Sequence, residues 1–332
     1  MSGGVKTIVI GPKTEEQRLD RWFKDKYPGL SFGRLQKLLR KGEVRVDGKR
    51  IKDAKFLLKP GHALRIPPLD KEKTPVKPKP YQGRLTDEEA AYIQACVIHK
   101  DDHIIILNKP PGLAVQGGSG TSRHVDGMLD ALKYDFSERP RLVHRIDKDT
   151  SGILVLARTQ KVARLMTSAF KSNDVRKLYW AITKGVPEQD EGRIDLPLSK
   201  QPTPNGEKMV IDEFEGKKAI TEFNILDKAG QRAAWVEMEP ITGRTHQLRV
   251  HMLAIENPIL GDGKYGGAEA FFSGPEIAQQ LHLHAHAIRF PHPAGGEFNI
   301  TAPLPPHMKE TWSYFGFDEK MAPVPFSLDV YS

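Results

Sequence analysis

Leu142-Val-His-Arg145-Ile-Asp147-Lys-Asp149-Thr150-Ser151-Gly152 runs directly into Ile153-Leu-Val-Leu-Ala157. Polar side chains crowd the entrance of an unbroken apolar run of strand length, the pattern of a buried strand. Similar runs recur at Ile104–Leu107, Tyr179–Thr183, Ile220–Leu226, Ala233–Met238 and Leu281–Phe290. Helical periodicity shows at Val125–Lys133 and Gln160–Lys171. Strands and helices do not alternate strictly, so the chain reads as α+β with a mixed, largely antiparallel sheet. There is no internal repeat.

Chemistry gathers around this strand. Asp147 sits in a loop within reach of Arg145 and Lys148, and a carboxylate beside an arginine stays ionised and can act as a nucleophile. The same residue types equally fit a turn, with Asp147 or Asp149 as a cap and Thr150 and Ser151 bonding backbone groups. A second stretch, Thr242-Gly-Arg244-Thr-His246-Gln-Leu-Arg249-Val-His251, follows the strand that ends near Pro240. Its guanidinium groups suit carboxylate or phosphate partners, or a surface ion-pair cluster on a helix. Tyr179 and Trp180 follow the basic pair Arg176-Lys177, and an aromatic beside cations can stack on a nucleobase or simply fill a core.

Two motifs invite other readings. His282, His284 and His286 would share one face of a strand. Zinc binds such imidazoles, but no carboxylate is interleaved and no His-Glu-x-x-His motif occurs. A strand of satisfied histidines with one wet face is the better reading, and no metal is expected. Gly117-Gly-Ser-Gly120-Thr-Ser122 lacks the lysine of a phosphate loop and reads as a flexible substrate-side loop. Lys109-Pro-Pro-Gly112 before it reads as a rigid exit from a strand.

The charge is uneven. Residues 1–80 hold 21 Lys+Arg against 9 Asp+Glu, whereas residues 81–332 hold 29 against 33. A small basic unit therefore precedes a larger, slightly acidic body, an asymmetry that fits a polyanion-gripping module. In that unit Thr14 and Gln17 form a capping-box signature opening a helix with Leu19, Trp22, Phe23 and Tyr27 inward. Pro28-Gly29 ends it. Ser31 can cap a second helix, with Leu35, Leu38 and Leu39 inward and Gly42 as its stop. Arg34, Lys37, Arg40 and Lys41 then form a one-sided cationic ridge. Val44–Val46, the turn Asp47-Gly48 and Lys49–Ile51 read as a hairpin, and Ala63–Ile66 as a last short strand. Residues 71–80, charged and Pro-rich, read as an extended linker. The expected division is 14–70 for the basic unit, 71–92 for the linker and 93–332 for the body. No function is read from Met308–Ser332.

The single cysteine, Cys96, excludes a disulfide framework and any Cys-rich metal or iron–sulfur site. No apolar run approaches the roughly 18 residues of a membrane span, and no secretory pattern opens the chain. A cytoplasmic location is expected.

The set His144-Arg-Ile-Asp147-Lys-Asp-Thr-Ser-Gly152, Gly243-Arg-Thr-His-Gln-Leu-Arg-Val-His251, Asn108-Lys-Pro-Pro-Gly112 and Leu283-His-Ala285 resembles the RluA/RluC/RluD-type pseudouridine synthases. The N-terminal unit, with Arg18-Leu-Asp20 and Val44-Arg-Val-Asp-Gly48, resembles an S4 RNA-binding domain. The likeness covers roughly residues 14–67 and 97–305, and departs at Ile146, where the family usually has Leu. It implies the pseudouridine synthase fold and isomerisation of uridines in 23S ribosomal RNA, without a cofactor, membrane or obligate protein partner and as a monomer. By resemblance Asp147 is the catalytic residue, held against an arginine, Arg249 first and Arg244 second. Tyr179 would stack on the flipped base and help remove the C5 proton, Leu283 would pack under the base, and Arg145 would fill the gap left in the RNA. Arg34, Lys37, Arg40, Lys41, Arg45, Lys49 and Arg50 would grip phosphates.

Overall fold

A computed structural model describes residues 5–12, 16–27, 30, 32–69, 85–117, 123–172, 174–203, 206–273 and 277–327. The chain divides into two compact units, residues 1–82 and 83–332.

The first unit contains β1 (Lys6–Val9), β2 (Gln17–Arg18), α1 (Leu19–Lys26), α2 (Phe32–Arg40), β3 (Arg45–Val46), β4 (Lys49–Arg50), β5 (Leu57–Leu58) and β6 (Ala63–Ile66). Four strands form an antiparallel sheet in the order β1-β6-β3-β4. Leu19, Trp22 and Phe23 of α1 and Leu35, Leu38 and Leu39 of α2 pack with Val44, Val46, Leu64 and Ile66 into one core. The expected hairpin is present: Asp47 (φ 49°) and Gly48 (φ 77°) take the left-handed conformations that a two-residue turn of this twist needs. The expected opening of the first helix is corrected. Thr14, Pro28, Gly29 and Ser31 lie outside the described residues, and Gln17–Arg18 pairs with Leu57–Leu58 as a strand. The helix starts at Leu19, with no side-chain cap from Arg18. The unit also begins earlier than residue 14, because β1 pairs with β6.

The second unit contains α3 (Asp87–Ala95), β7 (Val97–Lys100), β8 (Ile104–Lys109), α4 (Val125–Met128), β9 (Arg141–Leu142), β10 (Ser151–Ala157), α5 (Gln160–Ser172), β11 (Arg176–Lys184), β12 (Glu191–Asp195), β13 (Leu198–Thr203), β14 (Gly206–Ile211), β15 (Ile220–Ala229), β16 (Ala233–Pro240), α6 (Gln247–Ala254), β17 (Leu283–Pro291), β18 (Glu297–Thr301) and α7 (Pro306–Phe315). Helix α3 carries a complete capping box between Thr86 and Glu89 and buries Ile93. Residues 87–92, read from sequence as linker, therefore belong to this unit. Residues 70–84 lie outside the described set.

Ten strands form one sheet, ordered β12-β15-β16-β11-β17-β10-β8-β7, with β9 beside β10 and β18 beside β17. Every residue of β10 is buried. Its alternate residues face two layers: Ile153 and Val155 pack with Val162 and Met166 of α5, whereas Leu154 and Leu156 pack with Ile93 of α3 and Met128 of α4. Across the sheet, Ala181, Met238 and Leu283 pack with Leu248 and Met252 of α6, and Trp180 and Trp235 pack with Met308 and Trp312 of α7. Among the described strands, β10 and β17 make the one parallel pairing, Ser151 opposite His284 and Gly152 opposite Ala285. That pairing brings the loop before β10 and the first residue of β17 to the same end of the sheet.

His282, just before β17, and His284 and His286 within it have no wet face. His282 and His284 are fully buried and His286 nearly so. His284 Nε2 donates to the Ala302 carbonyl (3.1 Å), which leaves Nδ1 to accept from the Ser151 hydroxyl (2.9 Å). His282 lies between the Gln280 carbonyl and the Thr311 hydroxyl, and His286 stacks on Trp180 at 3.4 Å. Among the described residues no group of three His, Cys, Asp or Glu could hold a metal ion. Burial pushes the three imidazoles down to about 3 (His282), 4 (His284) and 3 (His286). An unfolded histidine titrates near pH 6.5, so their stabilising contribution is complete above that pH and is lost as the pH falls. Each costs about 1.4 kcal/mol per pH unit below it. The expected result is cooperative acid unfolding with a midpoint near pH 5, followed by circular dichroism; a fold intact at pH 4 contradicts this account.

Candidate active site

Strand topology sets the site. Tyr179 of β11 lies opposite Ala285 of β17 and opposite Met238 of β16. The loop after β16, residues 241–246, and the loop before β10 therefore meet above Leu283 and Tyr179. Between them is a cleft of about 410 Å³, lined by Arg145, Asp147, Tyr179, Arg244, Arg249 and Leu283, with His144, Phe170, Lys177 and His246 among its other walls. The six residues to which the resemblance assigns a site role in this unit, Arg145, Asp147, Tyr179, Arg244, Arg249 and Leu283, all border this one cavity.

The Asp147 side chain is about one quarter exposed, and the imidazole facing it is that of His246, Nε2 to Oδ2 at 3.8 Å. The expected arginine contact is corrected. Arg249 is buried and donates through Nε (2.8 Å) and Nη2 (2.6 Å) to the two oxygens of Asp262. A planar guanidinium engaged in this bidentate way has its fork committed to that carboxylate. Its field still reaches Asp147, whose charge helps raise the Arg249 pKa alongside Asp262. Arg244 is exposed and donates through Nε to the Lys218 carbonyl (3.0 Å), so it stands on the rim. Arg145 is exposed at the mouth.

Burial, reinforced by the Asp147 charge, pushes the Tyr179 hydroxyl well above its usual pKa. His144 stacks on Phe170 at 4.4 Å, accepts from the Val155 N–H at 2.9 Å, and is driven by burial down to about 3. It walls the cleft as a neutral ring.

Lys109 braces the Asp147 loop. Its fully buried ammonium donates to the carbonyls of Pro110 (2.8 Å), Leu113 (2.9 Å) and Lys148 (2.9 Å). Burial lowers its pKa to about 7, against the opposing pull of Asp149 and Asp147. Gly152 is the other fixed point: at φ +104° a Cβ would lie 2.3 Å from the Ala285 carbonyl oxygen. Of the glycine stretch 117–122, residues 118–122 lie outside the described residues.

Sequence reading missed Asp262 and Tyr265, and the approach of His246 to Asp147. Gly261-Asp-Gly-Lys-Tyr265-Gly-Gly267 was the available signal, a glycine-rich turn; Gly261 takes φ +79° against the Gln280 backbone.

In the first unit, Lys37, Arg40, Lys41, Lys49 and Arg50 are exposed, and Arg34 and Arg45 are half-buried.

Residues 103–254 match the RNA pseudouridylate synthase family, and residues 17–64 match the S4 domain. The chain belongs to the pseudouridine synthases and is an RNA pseudouridine synthase carrying an S4 domain. It is 36% identical over 314 residues to the ribosomal large subunit pseudouridine synthase C of Vibrio cholerae, covering 92% of this chain and 95% of that one. The Escherichia coli K12 protein of the same name is 35% identical over 312 residues, with the same coverage. Among solved structures, human RNA pseudouridylate synthase domain containing 4 superposes with a TM-score of 0.57 at 30% identity, over 68% of this chain and 95% of that one. No helix among the described residues is long and apolar enough to cross a membrane.

Proposed function

We propose that this enzyme converts specific uridines of 23S, large-subunit ribosomal RNA to pseudouridine, with Asp147 as the catalytic group and without a cofactor. The convergence of Asp147, Tyr179, Arg249 and Leu283 on one cleft supports this reading most directly. The names of the relatives from Vibrio cholerae and Escherichia coli support the substrate.

The reaction breaks the C1′–N1 bond of uridine, turns the uracil, and joins C1′ to C5. C5 gives up its proton, which ends in bulk water, and N1 takes one up, so the product is an isomer of the substrate and atoms and electrons balance. Asp147 starts cleavage from the cleft wall. Walls made by Leu283, Phe170 and the His144 ring exclude the water that would leave an abasic site. Tyr179, held protonated in the resting site, serves as a platform and hydrogen-bond donor for the base. Arg145, at the mouth, replaces the everted uridine in the RNA stack.

The S4 unit supplies phosphate contacts, which add affinity without reading sequence. The enzyme acts as a monomer in the cytoplasm. Replacing Lys37, Arg40 and Lys41 with Gln is expected to lower the magnitude of the slope of log K against log salt by about 2–3, at about 0.7–0.9 for each phosphate no longer neutralised. Filter binding at several salt concentrations measures it; an unchanged slope removes these residues from the interface. The function itself is tested by incubating the protein with 23S rRNA transcript, without added cofactor, and mapping pseudouridine. Modification at discrete positions is expected; none at any position overturns the reading.

A further inference from the structure

Tyr265 OH lies 3.2 Å from the Met209 backbone N–H, which can only donate, so the hydroxyl accepts there. Its own proton then goes to the other neighbour, His246 Nδ1, at 2.6 Å. Burial raises the Tyr265 pKa, which keeps that proton on the oxygen. Burial also lowers the His246 pKa, so the ring is neutral. A neutral imidazole that accepts at Nδ1 carries its proton on Nε2. Nε2 faces Asp147 Oδ2 at 3.8 Å.

The supports of this relay are rigid. His246 holds a left-handed backbone (φ 53°) at the start of α6. The next residue, Gln247, locks the turn: its Oε1 accepts from the Thr242 hydroxyl (2.7 Å) and Arg244 N–H (3.1 Å), and its Nε2 donates to the Ile220 carbonyl (2.8 Å). The Tyr265 N–H is held at 3.2 Å by Asp262, the same carboxylate that grips Arg249.

We propose that His246 is the positioning residue for Asp147: its Nε2–H, fixed by the Tyr265 hydroxyl at Nδ1, aims the carboxylate at the ribose. This role rests on the reading of Asp147 above. At 3.8 Å the contact is longer than a hydrogen bond, and such catalytic contacts tighten when substrate binds.

Two measurements on the full chain test it. In ¹⁵N-labelled protein, with the signals assigned by their loss in His246→Gln, His246 is expected to show a protonated Nε2 and a bare Nδ1, and Tyr265→Phe to abolish that preference. A proton on Nδ1 in the native protein overturns the proposal whatever the activity. In turnover, His246→Gln, which places an amide nitrogen at the Nε2 position, is expected to stay within about fivefold of native kcat. His246→Asn, with its nitrogen at the Nδ1 position, is expected to fall roughly 10–100-fold at unchanged KM, the usual cost of losing a supporting hydrogen bond. Equal loss in both variants overturns the proposal. Native-rate turnover by Asp147→Asn, with the tautomer as expected, would instead sink the reading of Asp147 on which this role depends.

Discussion

Asp147→Asn is expected to reduce pseudouridine formation by at least roughly 10³-fold, the scale of losing the one group that begins bond cleavage. Asparagine keeps the size and shape of the side chain but can neither add to carbon as an anion nor take a proton. Binding of 23S rRNA should stay within a few-fold, because the proposed phosphate contacts do not involve Asp147. The split between turnover and binding matters, since a misfolded variant loses both. Turnover within tenfold of native assigns the chemistry to another group.

Gly152→Ala is the second large effect, and it acts through the fold. The residue has φ +104°, and the added Cβ would sit 2.3 Å from one backbone atom of β17 and 2.7 Å from another. Neither obstacle is the end of a flexible side chain, so the β10–β17 pairing must open. Backbone strain alone costs about 1–3 kcal/mol, and the overlap adds to it. At about 2–4 °C per kcal/mol for a unit of this size, a fall in melting temperature of roughly 10 °C is expected in a thermal scan. Because Asp147 lies five residues before this point, activity should fall further than stability. Gly48→Ala is the control: its φ is +77° but the space around its Cβ is open, so it should cost only about 1 kcal/mol. Equal shifts in the two variants contradict the packing account.

Much of this architecture is legible in residue order. The run Ile153–Ala157 announces a strand covered on both faces because it lacks polar alternation, and β10 is buried throughout. Asp47-Gly48 announces its hairpin because few residue pairs tolerate two successive left-handed conformations. Helix α7 is hidden because Pro305-Pro306 opens it and only the Trp180–Trp235–Trp312 cluster marks it as core. Helix α3 is obscured by the charged, Pro-rich residues before it.

The site divides the same way. Motif wording places Asp147, Tyr179, Arg249 and Leu283 around one cleft, but spacing does not say which carboxylate an arginine will choose. Asp262, thirteen residues beyond Arg249, takes that guanidinium, and the imidazole of His246 faces Asp147 instead. Burial of His282, just before β17, rests in part on Thr311 and His307 of α7, a long-range contact that no local pattern encodes.

The most direct test uses 23S rRNA transcript tritiated at C5 of its uridines. Joining C1′ to C5 must expel that hydrogen, so release of tritium to water counts isomerisation events. The native protein is expected to release tritium in step with pseudouridine formed, and Asp147→Asn to release essentially none while still binding the RNA. Pseudouridine formed at the native rate by Asp147→Asn, or no tritium release by the native protein, would contradict the account.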